Sequence, residues 1–467
     1  MKNNFANKFI KYFLGNIASK ILYFVFGILA ARIYGVSIYG EYNYALSIVA
    51  YFIMFANLGI QGYAQFAVSK EPQKAKVYYN EVITIEIILG VVATFLLYLF
   101  TLIVTTSRGM VLLVGSTIII SALNIDWLFF AKQESQNVSI QQLITYCIQL
   151  ILLGLAYLSG STQAFLLPVL VSIGQFIGNI YLHVIGKYKF DIKYSFTVEN
   201  WKLNIKKGIP YLFSGVFAGI NCNIDSIIIA NIMDSEAVGA YSAAYKIINI
   251  FMVLLATIYA PMFPILVQSL KSNIDKYREI INRMRKISAI FIFPCVTGGV
   301  ILGNQLIEFM YGLQYQEASE AFKILMVFVG VFYMREVYGY TLTALGEQKK
   351  YMTSVCISSV INILLNIFFI PIWGIEGAAL TTLISELVNF IFMRYNARKL
   401  INAAVYYKTL FNIGICTFIM LMFTYVFKRF NVHVVLNILF SAVIYIVDML
   451  IFKVIKIVDL KKIKSKL

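Results

Sequence analysis

Long apolar segments separated by short polar ones run along the whole chain. Each is close to the ~20 residues that a helix needs to cross a bilayer core, and each is continuous rather than alternating, which favours helices over barrel strands. The pattern predicts fourteen spans, at 9–33, 43–63, 82–104, 110–130, 140–158, 163–184, 209–231, 243–268, 287–303, 321–345, 351–371, 376–395, 407–427 and 432–453. The fold class is therefore an all-α polytopic membrane protein.

The positions of the basic residues predict the orientation of these spans. If the N-terminus is cytoplasmic, 31 of the 39 Lys and Arg residues fall in cytoplasmic segments or at cytoplasmic span ends, four in outer segments or at an outer span end, and the remaining four inside spans. This asymmetry follows the positive-inside rule and predicts that both termini lie in the cytoplasm.

Composition excludes several classes of protein. Hydrophobic residues make up 60% of the 467 residues and charged residues 13%, whereas soluble domains carry about 25% charged residues. An ordinary soluble enzyme, a disordered chain and a disulfide scaffold do not fit. The net charge of +17 is explained by membrane orientation, so we expect no nucleic-acid partner.

Segments outside the spans are short. The longest outer one, 304–320, is too short to fold into a catalytic domain, so we expect no enzyme and no catalytic residues. The two histidines, His183 and His433, lie near span ends and cannot assemble a metal site. Residues 271–286 are predicted to extend a helix into the cytoplasm, with Glu279 and Arg283 paired at i,i+4.

Two pairs of similar short motifs relate the two halves of the chain. Gly40–Ala45 and Gly239–Ala244 both follow the pattern G-x-Y-x-x-A, and Ala131–Glu134 and Ala344–Glu347 both read A-x-x-E. Six spans separate the members of each pair, which predicts a parallel repeat about an axis normal to the membrane. The predicted divisions are an N-lobe at 1–184, an interfacial linker at 185–208, a C-lobe at 209–395, and two further helices with a basic tail at 396–467.

Five stretches resemble the O-antigen and capsule repeat-unit flippases of the Wzx type. They are RIYGVSIYGEYNY at 32–44, NLGIQGYAQFAVSK at 57–70, DWLFFAKQE at 126–134, DSIIIANIMDSEAVGAYSAAY at 225–245 and NILLNIFFIPIWGIEGAALTTLISE at 362–386. This family shares a superfamily with MATE exporters and lipid II flippases. The resemblance implies a MATE-like fold and a flippase that carries undecaprenyl-diphosphate-linked oligosaccharides to the outer leaflet by alternating access.

Charged residues inside spans are costly and usually face a cavity or a partner. A diphosphate headgroup needs cations along its path. We predict headgroup contacts from Lys20, with Asn16 on the same helical face, and from Arg335 and Lys246. Pairing of Arg335 with Glu386 and snorkelling of Lys246 are the structural alternatives.

Asp225 is the most informative acid within a span. Lipid II flippases have a sodium site of Asp, Asn-x-x-x-Asp and Thr on three helices, and by that resemblance the ligands here would be Asp225, Asn362, Asn366 and Thr382. Asn366 stands where the related site has an acid, so both Na⁺ and H⁺ remain open as the coupling cation. The alternative is a structural network of interhelical hydrogen bonds.

The sequence thus predicts a transporter for surface polysaccharide biosynthesis, in a bacterial inner or plasma membrane, with no bound cofactor. Its expected partners are the lipid-linked oligosaccharide, membrane lipids and other polysaccharide-assembly proteins. Two alternatives stay open. A MATE-like exporter of cationic drugs would need an acidic cavity, and a membrane-embedded glycan polymerase would need a large outer loop.

Overall fold

The computed structural model describes residues 2–103, 107–161, 163–259, 262–272, 274–400 and 407–454. Within these ranges the chain forms fifteen α-helices and no strand. The helices are α1 Lys2–Asn57, α2 Ile60–Lys70, α3 Ala75–Ile103, α4 Arg108–Ala122, α5 Asp126–Ala131, α6 Gln136–Leu158, α7 Leu166–Phe190, α8 Trp201–Ile232, α9 Ser235–Tyr259, α10 Met262–Ser272, α11 Ile274–Tyr311, α12 Ala318–Ala344, α13 Gln348–Leu400, α14 Tyr407–Arg429 and α15 Val434–Ile451.

Ten helical segments within the described ranges are long and apolar enough to cross a membrane. Two of them, in α1 and α13, each carry two predicted spans. These helices have 56 and 53 residues, far more than one crossing needs. Each continues through a glycine with non-helical dihedral angles, Gly35 at φ 77° and Gly374 at φ 55°. The remaining predicted spans, the seventh and tenth, coincide with α8 and α12.

Helices extend beyond several apolar segments. The expected outer loop at 304–320 is mostly helical, because α11 continues to Tyr311 and α12 begins at Ala318. The predicted helix at 271–286 is confirmed for Ile274 onwards, where it is the first part of α11; its cytoplasmic position stays a prediction. Glu279 and Arg283 form the expected i,i+4 pair, with 2.6 Å between Oε1 and Nη2.

The chain divides into two compact units, Met1–Ser242 and Ala243–Leu467. In the first unit, buried side chains of α2, α3, α5 and α7 form a core around Trp127 and Leu182. In the second unit, α11, α14 and α15 share a core around Met420 and Tyr445. The unit boundary lies within α9, so α8 belongs to the first unit. The division into lobes at 184 and 209 stays a prediction.

The non-helical part of the expected linker is restricted to residues 191–200 and is tied to α3. Glu81 is 2% exposed, and its two carboxylate oxygens accept hydrogen bonds from the side-chain amides of Asn200 and Asn204 at 2.6 and 2.7 Å. The Lys76 ammonium lies 2.5 Å from Asp191 and lowers the pKa of that carboxyl. These contacts hold the segment along the start of α3.

The two G-x-Y-x-x-A motifs meet in space within the first unit. A Cβ atom on Gly40 would lie 1.6 Å from the carbonyl oxygen of Ser235, and one on Gly239 would lie 2.1 Å from that of Val36. Only glycine allows the backbones of α1 and α9 to approach so closely. The motif therefore marks a helix contact.

The two A-x-x-E motifs have the same local backbone. Gln133 and Gly346 both have a positive φ, 56° and 77°. The following amides, of Glu134 and Glu347, donate to carbonyls five residues earlier at 2.8 and 2.9 Å. This is the Schellman arrangement that ends a helix. The two stretches are thus alike in local structure as well as in sequence.

Candidate functional site

Lys20 lies half-buried on α1. The neighbouring Ser19 is fully buried, and its hydroxyl donates to the carbonyl of Asn16 at 2.8 Å and lies 3.1 Å from Oε1 of Gln142 on α6. The contact with Gln142 directs this face of α1 toward α6. Within the described ranges no acidic side chain forms an ion pair with Lys20.

Arg335 lies on α12 and is 6% exposed. Its Nε donates to Oε1 of Glu386 on α13 at 2.7 Å, and its Nη1 to Oε1 of Glu336 at 2.5 Å. The guanidinium also lies 4.7 Å from the ring centre of Phe332. The alternative of pairing with Glu386 is therefore observed. Arg335 has a second carboxylate partner that the sequence pattern did not indicate.

Lys246 and Asn16, the other two predicted headgroup contacts, are both half-buried. Lys246 lies on α9 in the second unit and already interacts with a neighbouring group. Asn16 lies one turn before Lys20 on α1, and its carbonyl accepts the Ser19 hydroxyl.

Asp225 is a buried acid on α8, 3% exposed. Its Oδ2 accepts a hydrogen bond from the Tyr241 hydroxyl at 2.7 Å. Tyr241 is the aromatic residue of the second G-x-Y-x-x-A motif, so this motif both forms a helix contact and orients the acid. The side chain of Asn221, one turn before Asp225, lies outside what the structure describes.

Asn362 and Asn366 lie one turn apart on α13 and are both buried. The Asn366 amide donates to Oδ1 of Asn362 at 3.1 Å, and the Thr381 hydroxyl lies 2.5 Å from Oδ1 of Asn366. Thr382, the predicted ligand, donates to the carbonyl of Ala378 at 2.9 Å. The structure therefore brings the two asparagines together with Thr381, the neighbour of the threonine that the resemblance indicated.

Sequence reasoning missed Glu86. The sequence pattern predicts no role for Glu86, and the structure places it on α3 with 2% of its surface exposed. Its Oε2 accepts a hydrogen bond from Gln61 at 2.9 Å. The available signal was the apolar sequence around it, Thr84-Ile85-Glu86-Ile87-Ile88, which is typical of a segment inside the membrane.

The family model of polysaccharide biosynthesis proteins matches residues 5–270 of this chain, which is more than half of it. A second family model, that of the lipid II flippase MurJ, matches residues 164–445. The chain belongs to the polysaccharide biosynthesis protein family, as its resemblance to the Wzx-type flippases predicted. This family comprises multi-pass membrane transporters, not enzymes.

Curated relatives of this flippase-family chain are distant in sequence. It is 25% identical over 402 residues to the capsular polysaccharide biosynthesis protein CapF of Staphylococcus aureus, covering 83% of this chain and 98% of that protein. It is 26% identical over 230 residues to the probable flippase AglR of Haloferax volcanii, covering 45% of each. The chain thus spans less than half the length of the archaeal relative.

Solved structures show the fold of this family member. It is similar to the inward closed conformation of lipid II flippase MurJ, with a TM-score of 0.78 and 18% identity, covering 95% of this chain and 98% of that one. It is also similar to an inward-facing MATE transporter, with a TM-score of 0.66 and 13% identity, covering 84% and 98%. The predicted MATE-like helical fold is confirmed.

Proposed function

We propose that the protein is a flippase that moves undecaprenyl-diphosphate-linked oligosaccharide repeat units from the cytoplasmic to the outer leaflet for surface polysaccharide biosynthesis. In this proposal it works by alternating access, with the sugar-diphosphate head crossing in water while the lipid tail stays in the bilayer. Membership of the polysaccharide biosynthesis family supports a lipid-linked glycan as the cargo.

The observation that carries the proposal is Lys20. An ammonium group within an apolar helix is costly and needs an anionic partner, and no acidic side chain of the described residues forms an ion pair with it. A diphosphate is the anion that a glycan carrier brings, and a lysine binds phosphate as a mobile point charge.

Arg335 has a different role in this proposal. Its guanidinium already has two carboxylate partners, so it would contact a phosphate only by exchanging one of them. Ligand binding would then change the packing of α12 against α13. A ligand biases two conformations only through such differences in affinity.

The driving force is proposed to be a cation gradient, of Na⁺ or H⁺, that acts at Asp225 together with Asn362, Asn366 and Thr382. Burial of these side chains supports a role inside the membrane. The hydrogen bonds of Asn366 add Thr381 to the candidate ligands. We place the protein in a bacterial inner or plasma membrane with both termini cytoplasmic, alongside other polysaccharide-assembly proteins.

The test is a leaflet assay. The gene is deleted and supplied back, and lipid-linked repeat units are quantified in each leaflet. We expect the deletion strain to accumulate repeat units in the cytoplasmic leaflet and the supplied gene to restore outward transfer. Normal outward transfer without the protein would exclude the flippase function.

A further inference from the structure

A transmembrane helix of the first unit is broken at residues 58 and 59. The helix α1 ends at Asn57 and α2 begins at Ile60. Between them, Leu58 and Gly59 have positive φ angles of 47° and 72°. Backbone that leaves a helix at membrane depth must be buried in protein or line a cavity, because lipid offers no hydrogen-bond partners.

A second break lies close to the first. The helix α4 ends at Ala122 and α5 begins at Asp126. The backbone carbonyl groups between α4 and α5 accept hydrogen bonds from side chains instead of from helical amides. The carbonyl of Leu123 accepts from Nε2 of His183 at 2.9 Å, and that of Asn124 lies 3.4 Å from Nε2 of Gln61. Since Gln61 lies in the first turn of α2, it joins the two breaks.

Glu86 lies at the junction of these breaks and has one oxygen without a partner. Its Oε2 accepts a hydrogen bond from the Gln61 amide at 2.9 Å. Its Oε1 is buried and has no hydrogen-bond partner among the residues that the structure describes. Burying a carboxylate oxygen without a hydrogen-bond partner is strongly unfavourable. A ligand bound at Oε1 would remove this cost.

A cavity of about 170 Å³ adjoins Glu86. Asn57, Gln61, Ser121 and Asn124 also line it, and its described lining contains no Lys or Arg. Polar oxygens and nitrogens thus surround a space large enough for several water molecules.

The backbone adds to the negative potential of this cavity. Its lining includes the last residues of α1 and α4, Asn57 and Ala122, and helix C-termini carry a partial negative charge. The N-terminus of α5 is already capped, because Oδ1 of Asn124 accepts the backbone N–H of Asp126 at 2.9 Å. Broken helices whose C-terminal ends face a polar cavity are a recurring form of cation site in transporters.

We propose that the cavity between α1, α3 and α4 binds a sodium ion, with Glu86 Oε1 as its charged ligand and the oxygens of Asn57, Ser121 and Asn124 and water as its neutral ligands. The inference goes beyond the proposed function, because it concerns cation binding whatever the cargo is. This site shares no residue with the other candidate cation site, at Asp225, Asn362, Asn366 and Thr382. A bound ion holds the two helix breaks together.

The experiment measures the thermal stability of the purified full-length protein at constant pH and ionic strength, with NaCl replacing choline chloride. We expect Na⁺ to raise Tm saturably by about 2–4 °C, because a ligand of the folded state stabilises it. The Asp225→Asn variant is tested in parallel to remove the other candidate cation site, and we expect it to keep this rise.

The next two changes are compared in the Asp225→Asn background. There Glu86→Gln should lose the Na⁺-dependent rise in Tm. The matched control is Glu81→Gln, on the same helix and equally buried, whose two oxygens already have amide partners. It should keep the rise even if its baseline Tm falls. Binding of ²²Na⁺ to the wild-type protein and to Glu86→Asp provides a second measurement if Glu86→Gln does not fold.

Three outcomes would overturn the proposal. The first is a rise that persists when Glu86→Gln is combined with Asp225→Asn, and the second is a rise that Asp225→Asn alone abolishes. The third is a wild-type Tm that depends on pH but not on Na⁺, since Glu86 would then take only a proton. None of these readouts depends on glycan transfer, so they are independent of the leaflet assay.

Discussion

Nε of Arg335 on α12 lies 2.7 Å from Oε1 of Glu386 on α13, and both side chains are buried. Glu336 is the second partner of Arg335, so this buried cluster contains one guanidinium group and two carboxyl groups. Removing one member of a buried ion pair leaves an uncompensated charge, which costs about 3–5 kcal/mol.

We predict that Arg335→Met lowers Tm more than Glu386→Gln does. The first change leaves two carboxyl groups facing each other, whereas after the second Arg335 keeps Glu336. The triple variant Arg335→Met/Glu336→Gln/Glu386→Gln should recover part of the loss. The measurement is the thermal unfolding of the purified proteins.

A matched control is the exposed pair of Arg283 and Glu279, whose side chains are 68% and 55% exposed. Arg283→Met should change stability by about 0–1 kcal/mol, because solvent screens the pair. Equal effects of Arg283→Met and Arg335→Met would refute the stabilising role of the buried cluster.

Lys20→Ala should reduce outward transfer of lipid-linked repeat units by about tenfold or more, because a charged hydrogen bond contributes about 1.5–3 kcal/mol. Lys20→Arg should restore most of the activity. Lys11→Ala, an exposed lysine on the same helix, is the control and should transfer normally. Transfer is measured in the leaflet assay with protein amounts matched, and full activity of Lys20→Ala would disprove the headgroup contact.

Gly40→Ala should destabilise the protein. The added Cβ would lie 1.6 Å from the carbonyl oxygen of Ser235, so α1 and α9 must separate, and overpacking costs about 1–3 kcal/mol. Gly154→Ala is the control, because nothing lies within 4 Å of its added Cβ and alanine favours a helix. Thermal unfolding of both variants checks the prediction, which fails if their Tm values agree.

The two Schellman motifs predict effects of opposite sign. Gln133 and Gly346 both have positive φ angles, which cost a residue with a Cβ about 1–2 kcal/mol. Gln133→Gly should therefore raise Tm and Gly346→Gln should lower it. Opposite effects of the two substitutions on Tm would identify backbone strain, and not lost side-chain contacts, as the cause. A loss of stability in both variants would contradict this explanation.

Some site residues could be predicted from sequence and others could not. A charged residue within an apolar segment can be recognised from the sequence alone, and this identified Lys20, Arg335 and Asp225. The Tyr241 hydroxyl that donates to Asp225 belongs to a different helix, α9, so this partner was not predicted. The apolar sequence around Glu86 was a signal of burial, but its partner Gln61 and the cavity beside it involve other helices and could not be predicted.

The sequence by itself determined the membrane class, the fourteen apolar segments and the motifs that mark the repeat, because hydropathy and local pattern are properties of consecutive residues. The repeat that these motifs predict would make Gly40 and Gly239 equivalent positions. Only the tertiary structure decided that these glycines contact each other's helices and that Glu86 faces a cavity. It also decided that Arg335 is paired with two carboxylates, whereas Lys20 has no carboxylate partner among the described residues. These contacts form between helices that are distant in sequence, so they depend on how the helices pack. A charged side chain inside the membrane is stable only where that packing supplies a partner or a polar cavity.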